Sequence, residues 1–507
     1  MESAFDFHDL FILDVANNHQ GSVDHGLDVI RRHAAVVRKH GVRAAVKFQF
    51  RDLDTFIHPS HQSNSENKHI SRFLSTRLNR EDYEQLFEEV KAHGLYTMCT
   101  PFDELSAELI AEMGFDLIKV ASCSARDWPL LESVAETNLP VVFSTGGLSI
   151  NEVDNIVAFS EHRALTFALM HCVSIYPTPP QACNLHNLAM LQQRYGNICV
   201  GWSTHEDPDA MAPIQMAVAL GARLFERHIG LATDTVTLNA YSSSPEQIDR
   251  WLTSWKVAED LKGSFDRSPA LEEESASLRS LQRGVYVKRL LKIGEQLERD
   301  DVYFAMPLQD GQLDSGRFGG GIVVESEVEP DTPIMEKGVS LPELSDGQRL
   351  KQYVHQIKAL LNIASVTLGR EFYVEYSHHY GIPNFGRTGC VLIDCVNREY
   401  CKKILVQLPG QSHPYHFHRL KEETFQVLSG EMYLDIDGEE RLMRAGDTAV
   451  VLPGAWHKFR TDRGCVVEEI STTHRNNDSV YKDPAINRMP REDRKTVVKH
   501  WGRFEIA

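Results

Sequence analysis

Residues 96–122, YTMCTPFDELSAELIAEMGFDLIKVAS, hold the pattern that decides the fold of the first half of the chain. Two short apolar runs, Tyr96–Pro101 and Leu117–Ser122, flank an amphipathic segment, Glu104–Met113, whose apolar residues recur at helical spacing. A strand, a helix and a second strand in this order predict a parallel βα unit.

The same alternation extends from residue 10 to about residue 230. It contains eight β-type runs, which are Leu10–Val15, Ala44–Gln49, Tyr96–Pro101, Leu117–Ser122, Val141–Thr145, Thr166–Cys172, Ile198–Ser203 and Leu224–His228. Eight strand–helix units in roughly 250 residues are typical of a TIM barrel. A doubly wound open sheet is the rival α/β fold, but no glycine-rich phosphate turn follows the first run. We therefore predict an α/β fold whose first domain, residues 1–267, is a (β/α)8 TIM barrel.

Length and charge exclude several classes of protein. The chain has 507 residues, which is too long for one domain. Its 53 Lys and Arg against 71 Asp and Glu give a net charge of −18, which opposes sequence-independent binding to nucleic acid. No apolar run approaches the roughly 20 residues of a membrane-spanning helix, and the start of the sequence lacks the features of a signal peptide. Nine dispersed cysteines without a CxxC pair disfavour a disulfide framework. We expect a cytoplasmic protein that binds neither nucleic acid nor membranes.

The second half of the chain changes its pattern twice. The helical periodicity ends around residues 259–277 in a charged stretch, which we interpret as a linker. Residues 277–340 contain short β-type runs between glycines and predict a small β-rich domain. Residues 345–363 have helical spacing, and short strands separated by turn signals such as Asp437-Gly438 follow from about Val391. The third domain is therefore residues 345–507, a helical linker followed by a closed all-β barrel.

Polar side chains follow all eight β-type runs, and catalytic groups of TIM barrels lie at these strand ends. A single lysine or histidine there would be an ordinary surface or core residue, but polar groups recur at all eight ends, which weakens that interpretation. Two lysines and several hydroxyls suit an anion, and two histidines on adjacent strands suit one divalent cation. The residues alone predict a phosphorylated anionic substrate and a metal.

Eight short segments resemble, in order, the motifs of sialic acid synthases. They are DVANNHQG (14–21), VKFQ (46–49), TPFD (100–103), IKVAS (118–122), FSTG (143–146), HCVSIYPT (171–178), GWSTH (201–205) and ERH (226–228). The resemblance covers most of residues 10–265. Enzymes of this family condense phosphoenolpyruvate with an N-acylated hexose to give a nonulosonic acid and phosphate. Residues 278–340, with RSLQ (279–282) and LKIGE (291–295), resemble the SAF (antifreeze-like) domain of the family, which implies a homodimer with this domain over the partner's barrel.

The resemblance also implies roles for individual residues. Those implied to bind phosphoenolpyruvate are Lys47, Thr100, Lys119, Ser122, Ser144, Ser174 and Ser203. His205 and His228 would bind Mn²⁺ or Mg²⁺, which polarises the sugar carbonyl. Asp14 stands where the family has a glutamate, and would orient a metal-bound water or accept a proton. The implied catalytic set is Asp14, Lys47, Gln49, Lys119 and Tyr176.

The departures from the family pattern fall mainly on the sugar side. They are Ser124 for an acidic residue, Ser174 for an asparagine, Leu238-Asn239 for an aspartate, and Met306 before Pro307 for an arginine of the SAF domain, with Arg317 as its candidate substitute. We therefore expect the family's chemistry on an altered acceptor aldose.

Residues 410–457 resemble the two motifs of a cupin, with GQSHPYHFHRLKEETFQVLSG at 410–430 and GDTAVVLPGAWH at 446–457. His416 and His418 alternate along a strand and therefore face one interior. With His457 and a carboxylate they would form a three-histidine, one-carboxylate site for Zn²⁺, Mn²⁺, Fe²⁺ or Ni²⁺. Glu422 is a rival to Glu423, which we prefer for its spacing to the glycine at 430. We therefore predict that the third domain has the double-stranded β-helix fold of a cupin. The alternative to a metal site is a metal-free structural cupin.

Three functions are weighed. The leading hypothesis is a phosphoenolpyruvate-dependent synthase whose cupin isomerises or binds the sugar. The runs HFH (416–418), KEE (421–423) and Glu468-Glu469 resemble the pattern of D-lyxose-type isomerases, and a regulatory sugar-binding module is the competing role of the cupin. The second is an isomerase with its only active centre in the cupin. The third is a sugar sensor on a synthase scaffold. The retained barrel lysines and histidines favour the synthase.

Overall fold

The computed structural model describes residues 5–62, 66–264, 271–369 and 372–499. The chain divides into two compact units, Met1–Pro269 and Ala270–Ala507. Among the described residues, no helix is both long and apolar enough to cross a membrane.

The first unit is a closed barrel of eight parallel strands in chain order, in which the last strand pairs with the first. The strands are β1 (Leu10–Asp14), β2 (Arg43–Phe50), β3 (Tyr96–Pro101), β4 (Leu117–Val120), β5 (Val141–Ser144), β6 (Phe167–Cys172), β7 (Cys199–Thr204) and β8 (Leu224–His228). The TIM-barrel prediction is confirmed.

Helices surround the strands of this barrel. They are α1 (Val23–His40), α2 (Leu53–Phe56), α3 (Pro59–Gln62), α4 (Lys68–Ser75), α5 (Arg80–Ala92), α6 (Glu104–Met113), α7 (Trp128–Glu136), α8 (Ile150–His162), α9 (His186–Arg194), α10 (Ala212–Ala219) and α11 (Pro245–Lys262). Helix α1 shows why they begin and end where they do. Ser22 caps its first turn, and Gly41 ends it in a left-handed conformation (φ 64°) that glycine adopts without strain. Its buried face carries Val29, Ile30 and Val37.

The alternation of side chains along each strand positions the polar residues. Leu10 and Ile12 of β1 and Ala45 of β2 belong to an apolar core that is separate from the one containing the helix-facing strand residues. Asp14 and Lys47 each follow two residues later, so they lie in the next interior layer. The barrel interior therefore changes from apolar to charged toward the carboxyl ends of the strands.

The second unit begins with α12 (Glu272–Leu281), which has no buried residue. Part of the stretch interpreted as a linker is thus helical, and residues 265–270 lie outside the described residues. Three acidic residues in the first turn of α12 favour the helix through its dipole, a signal that apolar periodicity misses.

Two small antiparallel sheets follow α12. They consist of β9 (Gly284–Val287) with β10 (Val302–Ala305), and of β11 (Val323–Val324) with β12 (Val339–Ser340). A shared apolar core holds them together. The assignment of residues 277–340 as a SAF domain stays a prediction.

The rest of the second unit is helix α13 (Asp346–Ile363) and an eleven-stranded antiparallel sheet. The strands are β13 (Tyr373–Ser377), β14 (Cys390–Asn397), β15 (Tyr400–Gln407), β16 (His416–His418), β17 (Glu423–Ile436), β18 (Glu439–Arg444), β19 (Thr448–Val451), β20 (His457–Arg460), β21 (Cys465–Thr472), β22 (Ser479–Tyr481) and β23 (Lys495–Lys499). Two short helices, α14 (Pro484–Arg488) and α15 (Arg491–Arg494), precede the last strand.

Strand β17 is the axis of this sheet. Its first half pairs with β19 and β21, and its second half pairs with β18 and β20. A bulge between Val427 and Ser429, followed by Gly430 with φ 77°, divides the two halves. A Cβ atom at Gly430 would lie 2.3 Å from the carbonyl oxygen of Gly464, so no other residue fits there without a shift of the backbone. The curled antiparallel sheet confirms the all-β prediction and is consistent with a cupin.

Candidate active site

Two lysines and two carboxylates meet inside the carboxyl end of the first barrel. The register pairs Asp14 with both Lys47 and His228, which places the three residues in one layer. Lys47 Nζ lies 3.1 Å from Asp14 Oδ2 and 3.0 Å from Glu226 Oε1. The side chains of Lys47 and Glu226 are each 5% exposed, so water screens this interaction weakly.

Glu226 is the centre of this cluster. Besides Lys47, it lies 3.6 Å from Lys119 Nζ and accepts a hydrogen bond of 3.3 Å from Ser203 Oγ. The sequence analysis gave it no role among the site residues. Its position in the ERH segment, two residues before His228 on the same strand, was the available signal for an inward-facing side chain.

The charged groups of the cluster shift the pKa values of one another. Burial lowers the pKa of Lys47, but attraction by Asp14 and Glu226 outweighs it and leaves the pKa above its ordinary value. Burial raises the pKa of Glu226, but Lys119 and Lys47 together bring it down to about 2. Burial lowers the pKa of Lys119, and the attraction of Glu226 only partly offsets this effect. Glu226 is therefore an anion at neutral pH, and Lys47 is a cation.

Hydroxyl groups line the strand ends next to the lysines. Ser144 Oγ accepts a hydrogen bond of 2.5 Å from Lys119 Nζ. Ser122 Oγ accepts one of 2.9 Å from the N–H of Gly146. A Cβ atom at Gly146 would lie 2.6 Å from Ser174 Oγ and 2.8 Å from Ser122 Oγ, so the glycine keeps these two hydroxyls close together.

Thr100 stands opposite Gln49 in the register of β2 and β3. Its Oγ1 is buried and has no hydrogen-bond partner among the described residues. A buried hydroxyl without a partner is costly, and an incoming polar ligand would satisfy it.

The two barrel histidines lie side by side. The ring centroids of His205 and His228 are 5.3 Å apart, and the ring of Tyr176 lies 4.2 Å from that of His205. His205 Nδ1 lies 2.9 Å from the carbonyl of Val173, to which it donates. Burial lowers the pKa of His205, but its interaction with the Cys172 thiol and its bond to Val173 outweigh this and leave the pKa above its ordinary value. His228 Nδ1 lies 3.4 Å from Asp14 Oδ2 and has no hydrogen-bond partner among the described residues. Burial lowers the pKa of His228 to about 4, which keeps this ring neutral and able to bind a metal.

A second cluster of ligating groups lies in the curled sheet. The ring nitrogens of His416, His418 and His457 that face one another lie within 4.8 Å of one another. Glu423 Oε1 is 3.2 Å from His418 Nε2, and its Oε2 is 3.1 Å from His457 Nε2. Glu423 is buried and Glu422 is exposed.

The protonation of these groups favours a cation. His457 Nδ1 lies 3.1 Å from the carbonyl of Ala455, to which it must donate, so its Nε2 carries no proton when the ring is neutral. Two buried acceptors, this nitrogen and Glu423 Oε2, then face each other without a hydrogen between them. His416 likewise donates its Nδ1 proton to Pro414 O at 3.0 Å, and burial holds its pKa well below the usual range. The four side chains therefore fit a divalent metal.

Comparison with known proteins matches a family model to part of each unit. The NeuB family model matches residues 35–267, and the cupin domain model matches residues 404–467. An uncharacterized protein of Methanocaldococcus jannaschii is 30% identical over 292 residues, which cover 57% of this chain and 82% of that protein. One similar solved structure is that of a Chromobacterium violaceum protein described as spore coat polysaccharide biosynthesis protein E. It is 42% identical to this chain, has a TM-score of 0.62, and the match covers 66% of this chain and 99% of that one. The chain belongs to the NeuB family.

Named NeuB-family relatives include synthases. The N-acetylneuraminate-9-phosphate synthase of Drosophila melanogaster is 33% identical over 43% of this chain and 59% of that protein. The N,N'-diacetyllegionaminic acid synthase of Legionella pneumophila is 26% identical over 58% of this chain and 85% of that protein.

Most residues singled out from the sequence converge in the NeuB-family barrel. Gln49 Nε2 donates to Asp14 Oδ2 at 3.1 Å, and Tyr176 forms a half-exposed rim beside His205. In the cupin, Lys421 donates to Glu423 Oε1 at 2.6 Å and pairs with Glu469. Both residues belong to the Lys-Glu-Glu and Glu-Glu runs of the isomerase-like pattern.

Proposed function

We propose that the protein condenses phosphoenolpyruvate with a hexose-type aldose to give a nonulosonic acid and phosphate. The observation that carries this proposal is the pair of buried lysines, Lys47 and Lys119, held with a buried glutamate beside a row of hydroxyls. Phosphoenolpyruvate brings a carboxylate and a phosphate, which two lysines and several hydroxyls can bind together. The synthase names of the NeuB-family relatives support the same chemistry.

In this proposal, phosphoenolpyruvate takes over the lysines from Asp14 and Glu226. The ligand groups for it are Lys47, Thr100, Lys119, Ser122, Ser144, Ser174 and Ser203. Its C3 attacks the aldehyde carbon of the sugar, so that a new C–C bond forms and the aldehyde oxygen becomes a hydroxyl. Water adds to C2, and phosphate leaves with cleavage of the C–O bond. One water is consumed for each phosphate released.

Other groups of the mouth position the acceptor. His205 and His228 would bind Mn²⁺ or Mg²⁺, and a bound ion of this kind polarises a sugar carbonyl. Lys47 and Gln49 hold the Asp14 carboxylate in place. We propose that this carboxylate accepts the proton of the water that adds to C2. Gln49, which donates to Asp14, and Tyr176, whose ring lies 4.2 Å from that of His205, would orient the sugar.

The direct test measures phosphate release from phosphoenolpyruvate in the presence of Mn²⁺ and a panel of aldoses and ketoses, with the products identified by mass spectrometry. The proposal is supported if an aldose causes phosphate release and the product has the combined mass of the aldose and pyruvic acid. No release across the panel, with phosphoenolpyruvate shown to bind nowhere in the barrel, rejects it.

A second proposal concerns the cupin, to which we assign a divalent metal and an action on the sugar. His416, His418, Glu423 and His457 would hold Zn²⁺, Mn²⁺, Fe²⁺ or Ni²⁺. The buried Lys421 and Glu469 beside them support isomerisation, since a proton moved between two carbons needs acid–base groups near the metal. NMR of the sugar after incubation without phosphoenolpyruvate separates isomerisation from binding alone. Isomerisation without any condensation would instead favour the isomerase-only alternative, and binding without turnover would favour a sensor.

Assembly and location complete the proposal. We propose a cytoplasmic homodimer in which residues 277–340, as a SAF domain, cover the partner's barrel. All nine cysteines are free, which supports a reducing compartment. Arg317, the candidate substitute for the family's arginine, is paired with Glu336 in the isolated chain. Sedimentation velocity tests the dimer, and an active monomer would contradict it.

A further inference from the structure

Arg51 continues the inward-facing row of β2 beyond the active site. Lys47 and Gln49 precede it at intervals of two residues, and its Nη2 donates a hydrogen bond of 3.1 Å to Gln49 Oε1. Gln49 in turn donates to Asp14. One side chain therefore connects the guanidinium of Arg51 to the group at which the chemistry is proposed.

Two aromatic rings hold this guanidinium in place. Its central carbon lies 3.5 Å from the ring centroid of Phe102 and 4.1 Å from that of Phe73. Stacking of this kind leaves only the N–H groups at the edge of the guanidinium for hydrogen bonds.

The edge of the guanidinium lacks a counter-charge. Within the described ranges, no carboxylate lies at ion-pair distance from Arg51, and its buried Nε has no hydrogen-bond partner. Two neighbouring arginines differ, because Arg77 pairs with Asp54 at 2.8 Å and Arg80 pairs with Glu84 at 3.0 Å. Burial lowers the pKa of Arg51 to about 10, which still leaves it charged at neutral pH. Arg51 is partly buried, and its unpartnered Nε–H and missing counter-charge would be satisfied by an anionic ligand.

A cavity of about 470 Å³ adjoins this edge. Its lining includes Asn17, Gln49, Arg51 and Phe73, so it begins at the barrel mouth and extends outward between β2 and α4. This volume is in the range of sites for small molecules.

We propose that this cavity receives the acceptor sugar and that Arg51 recognises an anionic group on it, a phosphate or a carboxylate. The inference rests on the proposed synthase function. The N–H groups at the edge of the guanidinium donate to the two oxygens of the anion, while Gln49 keeps the other end of the sugar at the barrel mouth. Arg51 is thus a residue that selects the acceptor, and it takes no part in bond formation.

The test uses the full chain and the Arg51→Met and Arg51→Lys variants. Calorimetry measures binding of N-acetylmannosamine 6-phosphate, mannuronate and neutral N-acetylmannosamine, each in the presence of phosphoenolpyruvate. Phosphate release gives kcat/KM for the same three sugars. Arg163→Met is the matched control, because Arg163 also stacks over a phenylalanine, Phe159, but is exposed and paired with Glu132 far from the cavity.

We expect wild-type protein to prefer one anionic sugar over the neutral one, and Arg51→Met to lose about 10- to 100-fold of that preference. Arg51→Lys keeps the charge but not the paired geometry and should lie between them. The KM for phosphoenolpyruvate should not change. The better of the two anionic sugars identifies the group as phosphate or carboxylate.

Two results overturn the inference. One is a wild-type protein that binds the neutral sugar as tightly as either anionic sugar. The other is an Arg51→Met variant with the wild-type preference and an unchanged melting temperature. If condensation proceeds in these cases, the proposed function stands without the anion site. If anion binding depends on Arg51 but no sugar supports phosphate release, the anion site stands and the synthase proposal fails.

Discussion

Replacement of Glu226 by glutamine tests whether an anionic substrate displaces Glu226 from the two lysines of the barrel. The substitution keeps the shape of the side chain and removes its charge, which leaves Lys47 and Lys119 with Asp14 as their only carboxylate neighbour in the cluster. Two buried cations then share one anion, so the variant without ligand should be less stable.

The magnitude follows from the pKa of Glu226. A carboxyl with a pKa of about 2 against an ordinary value of 4.5 is stabilised as the anion by about 3 kcal/mol. Breaking one side of a buried ion pair costs a similar amount, about 3–5 kcal/mol. For a unit of this size, about 3 kcal/mol corresponds to a fall of about 5 °C in the midpoint of thermal unfolding.

Phosphoenolpyruvate should reverse part of this loss. In the wild-type protein the ligand has to displace Glu226 from both lysines, whereas in Glu226→Gln the lysines lack that competitor. The assay is thermal unfolding of the barrel with and without saturating phosphoenolpyruvate, and we expect a larger ligand-induced shift in the variant.

Glu206→Gln is the matched control. Glu206 is also a buried carboxylate, 3.6 Å from Arg227 and with no contact to the lysines. Burial raises the pKa of Glu206 and Arg227 only partly offsets this effect, so Glu206→Gln should change the midpoint less than Glu226→Gln does. It should not enlarge the shift caused by phosphoenolpyruvate. A shift in Glu226→Gln that is equal to or smaller than that of the wild type would refute the exchange of charges.

Three further predictions follow from the two sites. Lys119→Ala should reduce phosphoenolpyruvate-dependent phosphate release by at least about 100-fold, because a buried cation that binds the substrate is lost, while the metal content of the cupin stays unchanged in elemental analysis. Glu423→Gln should lower bound metal by up to one ion per chain, whereas the exposed Glu422→Gln should retain it; equal stoichiometry in both variants would contradict the ligand assignment. Burial raises the pKa of Glu375 in the cupin, but Lys495 at 2.6 Å outweighs this effect and lowers the pKa to about 2. The ionised carboxylate therefore contributes about 3 kcal/mol to the free energy of unfolding above pH 4.5, and this contribution is lost as the pH falls toward 2. Unfolding midpoints of the wild type and Glu375→Gln should therefore converge on acidification, and a constant difference between them would argue against the pairing.

The sequence was informative where function depends on local order along a strand. Lys47 and Gln49 are two residues apart, so they share one face of β2, and the structure places both within hydrogen-bond reach of Asp14. The eight strands were recognisable because buried parallel strands are almost continuously apolar.

Features that depend on several strands at once were not accessible in this way. Glu226 has its importance because Lys47, Lys119 and Ser203, from three other strands, surround it, and no spacing in the chain encodes that arrangement. Arg51 lies just outside a recognisable segment, and its missing counter-charge is visible only when all neighbours are known. Helix α12 was missed because it is short and charged and buries no residue.

The path of β17 has a mechanical consequence. This strand has 14 residues and would span about 45 Å if straight. Its first residue, Glu423, nevertheless touches the ring of His457, while its last residue, Ile436, is the register partner of the same histidine. Glu423 and His457, two of the proposed metal ligands, therefore link both ends of one bent strand. If they hold an ion, its removal should increase amide hydrogen exchange along residues 423–436.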